Sequence, residues 1–285
     1  MAPHAYLSLK QLKATALAMG LNSTGTHADV RLRRLVENVS YQIDRVTNRH
    51  FYVQESTLYF SGDGGQKLLV PDLISVTSLK EDSNGDGTFD TTWDANDYTL
   101  FPYNAAPTAE WGRSHRSIEV NQAKGTQDAF IRGVRNYEIV GHFGWNEVTE
   151  AVTTVDSTGS FSSAATAFSV TDSETVEIGW TLKMGTEQLY VSSSTGTAVT
   201  VERGVNGSVP SVHANSATIL RYVPAGPIEE AAKAQCMRLF KRAQGGFTQE
   251  MGVTQAGALI SVTAGMDGDV KEFLSPFRKI PMGGG

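Results

Sequence analysis

The sequence has almost no cysteine and no long apolar run, and these two absences bound the kind of protein it encodes. Its 285 residues include a single cysteine, Cys236, which cannot form an internal disulfide. Because Cys236 lies in a segment of helical pattern, we expect a buried structural thiol in a protein assembled in a reducing cytoplasm. No run approaches the roughly 18 uncharged apolar residues of a membrane-spanning helix, and no secretory signal follows Met1. We therefore expect no membrane partner.

The sequence also lacks the residue patterns of common active sites. Its six histidines occur singly, with no paired spacing for zinc, and there is no phosphate-binding glycine loop or nucleophile elbow. We therefore expect no enzyme and no catalytic residue. A metal-dependent hydrolase is the least favoured interpretation.

The charge is unevenly distributed along the chain. The 24 basic and 30 acidic residues give a net charge of −6, which argues against a generally basic nucleic-acid binder. Residues 1–50 carry +4, residues 51–225 carry −11 and residues 226–285 carry +1. Such asymmetry indicates an assembly interface or a surface that does not hold polyanions. The simpler alternative is the ordinary solubility of a mildly acidic protein.

Helical patterns occur at the two ends of the chain. Ser8 and Gln11 have the spacing of a capping box at the start of a first helix. A similar box at 26–29 opens a longer helix, and Pro227 suits the first position of a late one. The longer helix has an apolar stripe formed by Leu32, Val36, Val39, Ile43 and Val46. Off this stripe we expect either a solvated face or the interface of a helical layer, formed by Arg31, Arg34, Arg45 and Arg49.

From residue 51 the apolar period changes to two, which is typical of strands. Glycine-rich turns separate short strand patterns, as in an antiparallel sheet or a small barrel. Residues 153–200 include 20 serines and threonines among 48 residues, yet retain strand patterns. The predicted fold class is α+β. Its parts are a helical core at 1–50 plus 226–250, an antiparallel β body at 51–149, an inserted all-β module (sandwich or barrel) at 150–222, and an extended C-terminal docking tail at 251–285.

Residues 82–90 have the spacing of the front of a calcium loop. Oxygen-bearing side chains occupy its positions 1, 3, 5 and 9, and a glycine, Gly87, occupies position 6. Position 12, where a bidentate glutamate is expected, is Trp93, and strands flank the loop on both sides. Two interpretations stay open, a metal-free hairpin turn, which is favoured, and a structural calcium site. The ligands of that site would be Asp82, Asn84, Asp86 and Asp90, and no other cofactor is expected.

Several segments at both ends of the chain share an order and spacing with one known family. They are Tyr6 to Lys10, then Ser40, Ile43, Asp44, Thr47, Arg49 and Phe51, then 140–145 and 227–232, and finally Asp269, Val270 and Leu274 to Arg278. Together these segments resemble the head–tail connector family of tailed bacteriophages, also called adaptor or head-completion proteins. The likeness covers roughly residues 6–149 and 226–280, whereas 150–222 departs from the short members of the family and looks like a β module that recurs in phage structural proteins.

This resemblance implies a structural virion protein at the head–tail interface. Such proteins form a ring, usually of twelve copies, beneath the portal protein, where they extend the DNA channel and contact a stopper, tail terminator or other tail protein. An acidic wall would let genomic DNA pass without specific binding, because it offers few cations to the phosphates. We expect the C-terminal segment to dock on the portal or a neighbouring subunit through Phe273, Leu274, Pro276, Phe277 and Arg278.

An alternative of another class is a surface-recognition protein whose Ser/Thr-rich module binds carbohydrate or a receptor. It is motivated by four aromatic residues of the module, Phe161, Phe168, Trp180 and Tyr190.

Overall fold

The computed structural model describes residues 4–20, 26–156, 160–172, 175–244, 250–253, 259–261 and 265–279. The chain forms two compact units. The helical unit comprises residues 1–49, 150–205 and 210–285, and the β unit comprises 50–149 and 206–209.

Four helices and fourteen strands are assigned among the described residues. The helices are α1 (Leu9–Ala18), α2 (Thr26–Thr47), α3 (Gly226–Gln244) and α4 (Gly268–Leu274), and a 3-10 turn (Ser275–Phe277) follows α4. The strands are β1 (Gln54–Phe60), β2 (Lys67–Glu81), β3 (Thr91–Thr92), β4 (Tyr98–Phe101), β5 (His115–Val120), β6 (Tyr137–Phe143), β7 (Thr149–Thr154), β8 (Ala167–Ser169), β9 (Thr181–Met184), β10 (Glu187–Thr195), β11 (Ala198–Glu202), β12 (Thr218–Tyr222), β13 (Glu250–Val253) and β14 (Leu259–Ser261). None of the described helices is long and apolar enough to cross a membrane.

The first helix begins where the sequence predicts. The Ser8 hydroxyl accepts a hydrogen bond from the Gln11 N–H, and the Gln11 side chain accepts one from the Ser8 N–H, so the capping box is confirmed. Leu9, Leu12 and Ala16 are buried along one face, whereas Met19 is exposed.

The apolar stripe of α2 is buried over most of its length. Leu32, Val36, Val39 and Ile43 lie in the core, but Val46, near the end of the helix, is 38% exposed. A stripe spaced by fours and threes drifts around an α-helix, and its last member here lies outside the packed face. In α3, Cys236 is buried, as the sequence predicts, and burial raises the pKa of its thiol.

The helical unit also contains an antiparallel sheet of order β7-β12-β9-β10-β11-β8. A bridge between Val155 and Val170 joins the ends of the two outer strands, so the sheet closes on itself at that point. Its interior is a core that includes Leu182, Met184 and Val191. This sheet belongs to the same compact unit as the helices, and β13 pairs with β14 in a further small antiparallel sheet.

The β unit is built on an antiparallel sheet of order β1-β6-β2-β5-β4, with β3 paired to β2. Within this sheet, β2 is one strand of 15 residues that contains Pro71. Its pairing with β5 shifts register between Leu69 and Leu73, and this irregularity accommodates the proline, which cannot donate a ladder hydrogen bond. The antiparallel sheets and four helices confirm the α+β class.

Candidate functional site

The N-terminal residues that carry the family resemblance converge on one face of α2. The Tyr6 N–H donates to Ser40 Oγ at 3.1 Å, and the Tyr6 hydroxyl donates to Asp44 Oδ1 at 2.5 Å. His4 Nε2 lies 2.9 Å from Asp44 Oδ2. The side chains of His4, Tyr6, Ser40 and Asp44 are all buried. These residues therefore fasten the N-terminal segment to α2.

Of the four arginines predicted for a helical-layer interface, the structure brings two together. Arg31 and Arg34 are exposed and line one groove, whereas Arg45 is exposed outside its lining. Arg49 is only 5% exposed at the end of α2, so it does not belong to the exposed face. The sequence gives no sign of this burial, because Arg49 follows the other arginines without a change of pattern.

The groove that contains Arg31 and Arg34 lies between α2 and α3. Its volume is about 530 Å³. Among the described residues that line it, most are apolar, and the polar ones are the two arginines and Asn38. We call it the α2/α3 groove, and its apolar lining residues are Val30, Leu32, Leu35, Leu239, Phe240 and Ala243.

The described part of the C-terminal segment, residues 265–279, forms α4 and a 3-10 turn that pack within their own chain, and this part does not have the extended form expected of a docking tail. Leu274 is buried and completes the core of the helical unit together with Val270, and the Lys279 N–H donates to the Thr47 carbonyl at 2.8 Å. The expectation that Leu274 docks on a partner is therefore wrong: an apolar residue on the inner side of a short amphipathic helix is core. Phe277 is half-buried. The residues of the predicted docking set that are exposed are Phe273, Pro276 and Arg278.

The predicted calcium loop folds as a network of side-chain to backbone hydrogen bonds. Asp82 Oδ1 accepts from the Gly85 N–H at 2.7 Å, and its Oδ2 accepts from the Gly87 N–H at 2.9 Å. Asp86 Oδ1 accepts from the Thr88 N–H at 2.7 Å, and this bond holds the pKa of Asp86 below its usual value. The amide of Asn84 bonds within the same turn and Asp90 is exposed. Both carboxylate oxygens of Asp82 and of Asp86 thus accept hydrogen bonds from within the loop.

A buried ion cluster in the closed sheet is the structural centre that the sequence did not reveal. Glu187 is fully buried, and its carboxylate accepts two parallel hydrogen bonds from the Arg203 guanidinium. Arg203 Nε donates to Oε1 at 2.5 Å, and Arg203 Nη2 donates to Oε2 at 2.6 Å. His213 Nε2 lies 2.7 Å from Oε2. We refer to Glu187, Arg203 and His213 as the buried cluster.

The remaining donors of Arg203 are also engaged. Nη1 donates to the carbonyls of Ser162 and Ala165 at 2.8 Å, and Nη2 donates to that of Ser211 at 2.6 Å. All five guanidinium N–H groups thus have acceptors, and the guanidinium lies 4.2 Å from the centre of the Phe161 ring. The cluster joins three loops and a strand, which is a structural role.

The pKa of Glu187 is held below its usual value. Burial alone would raise it, but the hydrogen bonds from Arg203, from the Ser211 N–H and from His213 outweigh burial. Arg203 lies directly after β11, which ends at Glu202, and a 3-10 turn at Val205–Gly207 follows. In the sequence, Glu187, Arg203 and His213 are isolated residues that share no motif.

The aromatic residues that motivate the surface-recognition alternative are mostly core. Phe161, Phe168 and Tyr190 are buried. The Tyr190 hydroxyl donates to Glu37 of α2 at 2.8 Å, and Trp180 is half-buried with the Arg221 guanidinium 4.3 Å from its ring centre. These rings do not form an exposed platform for a sugar.

Two exposed aromatic residues in the loop between β4 and β5 were not predicted. Tyr103 and Trp111 are 72% and 77% exposed. The loop is held by backbone bonds, including Arg113 N–H to the Ala105 carbonyl at 2.9 Å and Glu147 N–H to the Pro107 carbonyl at 2.8 Å. No periodic pattern marks these positions, because the loop is irregular.

Among the described residues, no group of three or more His, Cys, Asp or Glu side chains is placed to hold a metal ion. No model of a known protein family matches the chain, and a search of curated proteins finds no significant match.

Proposed function

We propose that the protein is a structural virion component, an adaptor that forms an oligomeric ring between the capsid portal and the tail of a tailed bacteriophage. The observation that supports this most is that resemblance-bearing segments from both ends of the chain belong to one helical unit. Tyr6 and Asp44 meet at 2.5 Å, and the late segment packs back so that Lys279 bonds to Thr47. Thr47 and Lys279, which are more than 200 positions apart in the sequence, are thus in direct contact within this unit.

The charge of the β unit supports a role beside passing DNA. Residues 50–149 contain 7 basic and 14 acidic side chains, a net charge of −7. A surface of this sign releases few counterions from duplex DNA and holds it weakly. In the proposed ring, this unit faces or flanks the channel, and genomic DNA slides past without specific binding.

The exposed part of the C-terminal segment is the proposed contact with the portal or a neighbouring subunit. Phe273, Pro276 and Arg278 are exposed although the same segment is anchored by buried Val270 and Leu274. An anchored segment presents its outer side chains at low conformational cost, which favours binding. Stoppers or other tail proteins would bind the opposite end of the ring.

The function is tested by disrupting the gene in the phage that encodes this chain. We expect DNA-filled heads without tails, because the ring that receives the tail is missing, and we expect added purified protein to restore tail joining. Electron microscopy and plaque counts measure both steps. Normal tailed, infectious particles from the disrupted phage would contradict the proposal.

A further inference from the structure

The described residues of the helical unit form two surfaces of opposite charge. One is the α2/α3 groove, whose charged members among the described residues are Arg31 and Arg34. The other is on α4, and we call its three residues Asp269, Glu272 and Phe273 the α4 outer face. Both surfaces are present once on every copy of the chain.

The α2/α3 groove has the composition of a site for an apolar side chain flanked by carboxylates. Its lining includes Leu35, Leu239 and Phe240, which are only partly buried. Neither Arg31 nor Arg34 has an ion-pair partner among the residues that the structure describes. A partner that brings carboxylates to the groove would therefore gain charge-assisted hydrogen bonds without breaking an existing pair.

The α4 outer face has the complementary composition. Residues three and four apart share one side of a helix, so Asp269, Glu272 and Phe273 are neighbours on its surface. Both carboxylates are exposed, and Phe273 is 50% exposed. Within the described part of the chain, neither carboxylate forms an ion pair. The opposite side of α4, with Val270 and Leu274, is fixed in the core.

We propose that Phe273 of one copy inserts into the α2/α3 groove of a second copy, where Asp269 and Glu272 pair with that copy's Arg31 and Arg34. The occupant is a second copy because the charges match in sign and number, two carboxylates facing two guanidinium groups around an apolar centre. This inference rests on the proposed ring and names its subunit contact.

The contact joins two different surfaces, so it is heterologous. Each copy uses its α4 outer face for one neighbour and its α2/α3 groove for the other. Contacts of this kind build either a closed ring or an open filament. An aromatic anchor in an apolar pocket with charged groups at its edge is also the usual composition of the residues that dominate binding energy.

Charge reversal tests the contact in the full-length protein. Arg31→Glu with Arg34→Glu places acidic groups in the groove, and Asp269→Lys with Glu272→Lys places basic groups on the α4 outer face. Each doubly substituted chain alone then meets like charges at every contact, and we expect its assembly to weaken by roughly tenfold or more. Circular dichroism and melting curves establish that each variant is folded.

The decisive sample is an equal mixture of the two variants. Each contact in an alternating assembly joins opposite charges, so the mixture should assemble as strongly as wild type although each variant alone assembles weakly. A matched control, Arg45→Glu with Lys271→Glu, reverses exposed charges of the same helices outside the contact and should assemble as wild type. Mass photometry and electron microscopy measure all samples.

Cross-linking gives a second measurement that does not depend on charge. Asn38→Cys places a thiol in the groove and Ser275→Cys places one beside the α4 outer face, and Cys236 is too buried to react. A short bis-maleimide should give covalent dimers chiefly when the two variants, each with one accessible thiol, are mixed.

The possible results separate this contact from the proposed function. Wild-type rings that the charge reversals leave intact, or rings that give no dimer in the mixed cross-linking sample, overturn the contact while the ring remains. A wild-type chain that forms no ring, alone or on the portal, overturns both.

Discussion

Removing the Arg203 side chain should destabilise the helical unit more than any exposed ion-pair substitution. Glu187 is 0% exposed and takes two bonds from the Arg203 fork. Arg203→Ala leaves that carboxylate with the weaker Ser211, Gly204 and His213 contacts, and leaves three backbone carbonyls without their donor. Loss of one member of a buried ion pair costs about 3–5 kcal/mol of unfolding free energy. Arg203→Lys keeps the charge but not the fork and should cost about 1–3 kcal/mol.

Amide hydrogen exchange of residues 187–191 is the suitable assay, because it reports on this unit separately from the other. The control is Lys233→Ala, which breaks the exposed pair with Glu230 and should change the unfolding free energy by less than about 1 kcal/mol. Equal effects of Arg203→Ala and Lys233→Ala would refute the reasoning.

The pH dependence of the unfolding free energy tests the contribution of the charged Glu187 carboxylate. The folded-state pKa of Glu187 lies below its unfolded value, so its contribution is fully present above the unfolded pKa of about 4.3 and is lost as pH falls through the folded pKa. The stability difference between wild type and Glu187→Gln should therefore shrink as pH is lowered below about 4.3. A difference that stays constant would contradict the assignment.

Three further predictions concern other parts of the chain. Glu229→Gln should not lower the melting temperature at pH 7, because burial raises the pKa of Glu229 and the charged form is disfavoured in the folded state; a large drop would contradict this. Tyr6→Phe should cost about 1–3 kcal/mol in denaturant unfolding, since Asp44 loses a buried donor, and an unchanged midpoint would refute that role. Millimolar calcium should leave the melting temperature unchanged, because both Asp82 oxygens already accept backbone hydrogen bonds, and a clear rise would restore the calcium interpretation.

Local rules predicted the elements whose structure depends on near neighbours. The Ser8 and Gln11 capping box and the buried positions Leu32 to Ile43 follow from three- and four-residue spacing, and the structure confirms them. α4 ends at Leu274, two residues before Pro276, a residue that disfavours continuation of an α-helix.

Features that depend on distant segments were not accessible to the same rules. Arg203 and Glu187 are 16 residues apart in the sequence, and the pairing of β10 with β11 brings them together. His213 reaches the same carboxylate from a segment that is bridged to Phe161. Leu274 was predicted to bind a partner because no sequence rule shows that α4 packs on α3. The α2/α3 groove likewise needs the packing of two helices that lie about 200 residues apart in the chain.

The central claim is that copies of this chain form a ring on the portal. It is tested most directly by electron microscopy of the purified protein mixed with the portal protein encoded by the same genome. We expect a closed ring of this chain, coaxial with the portal and leaving an open channel. A portal that remains bare at saturating protein, with the chain monomeric beside it, would contradict the account.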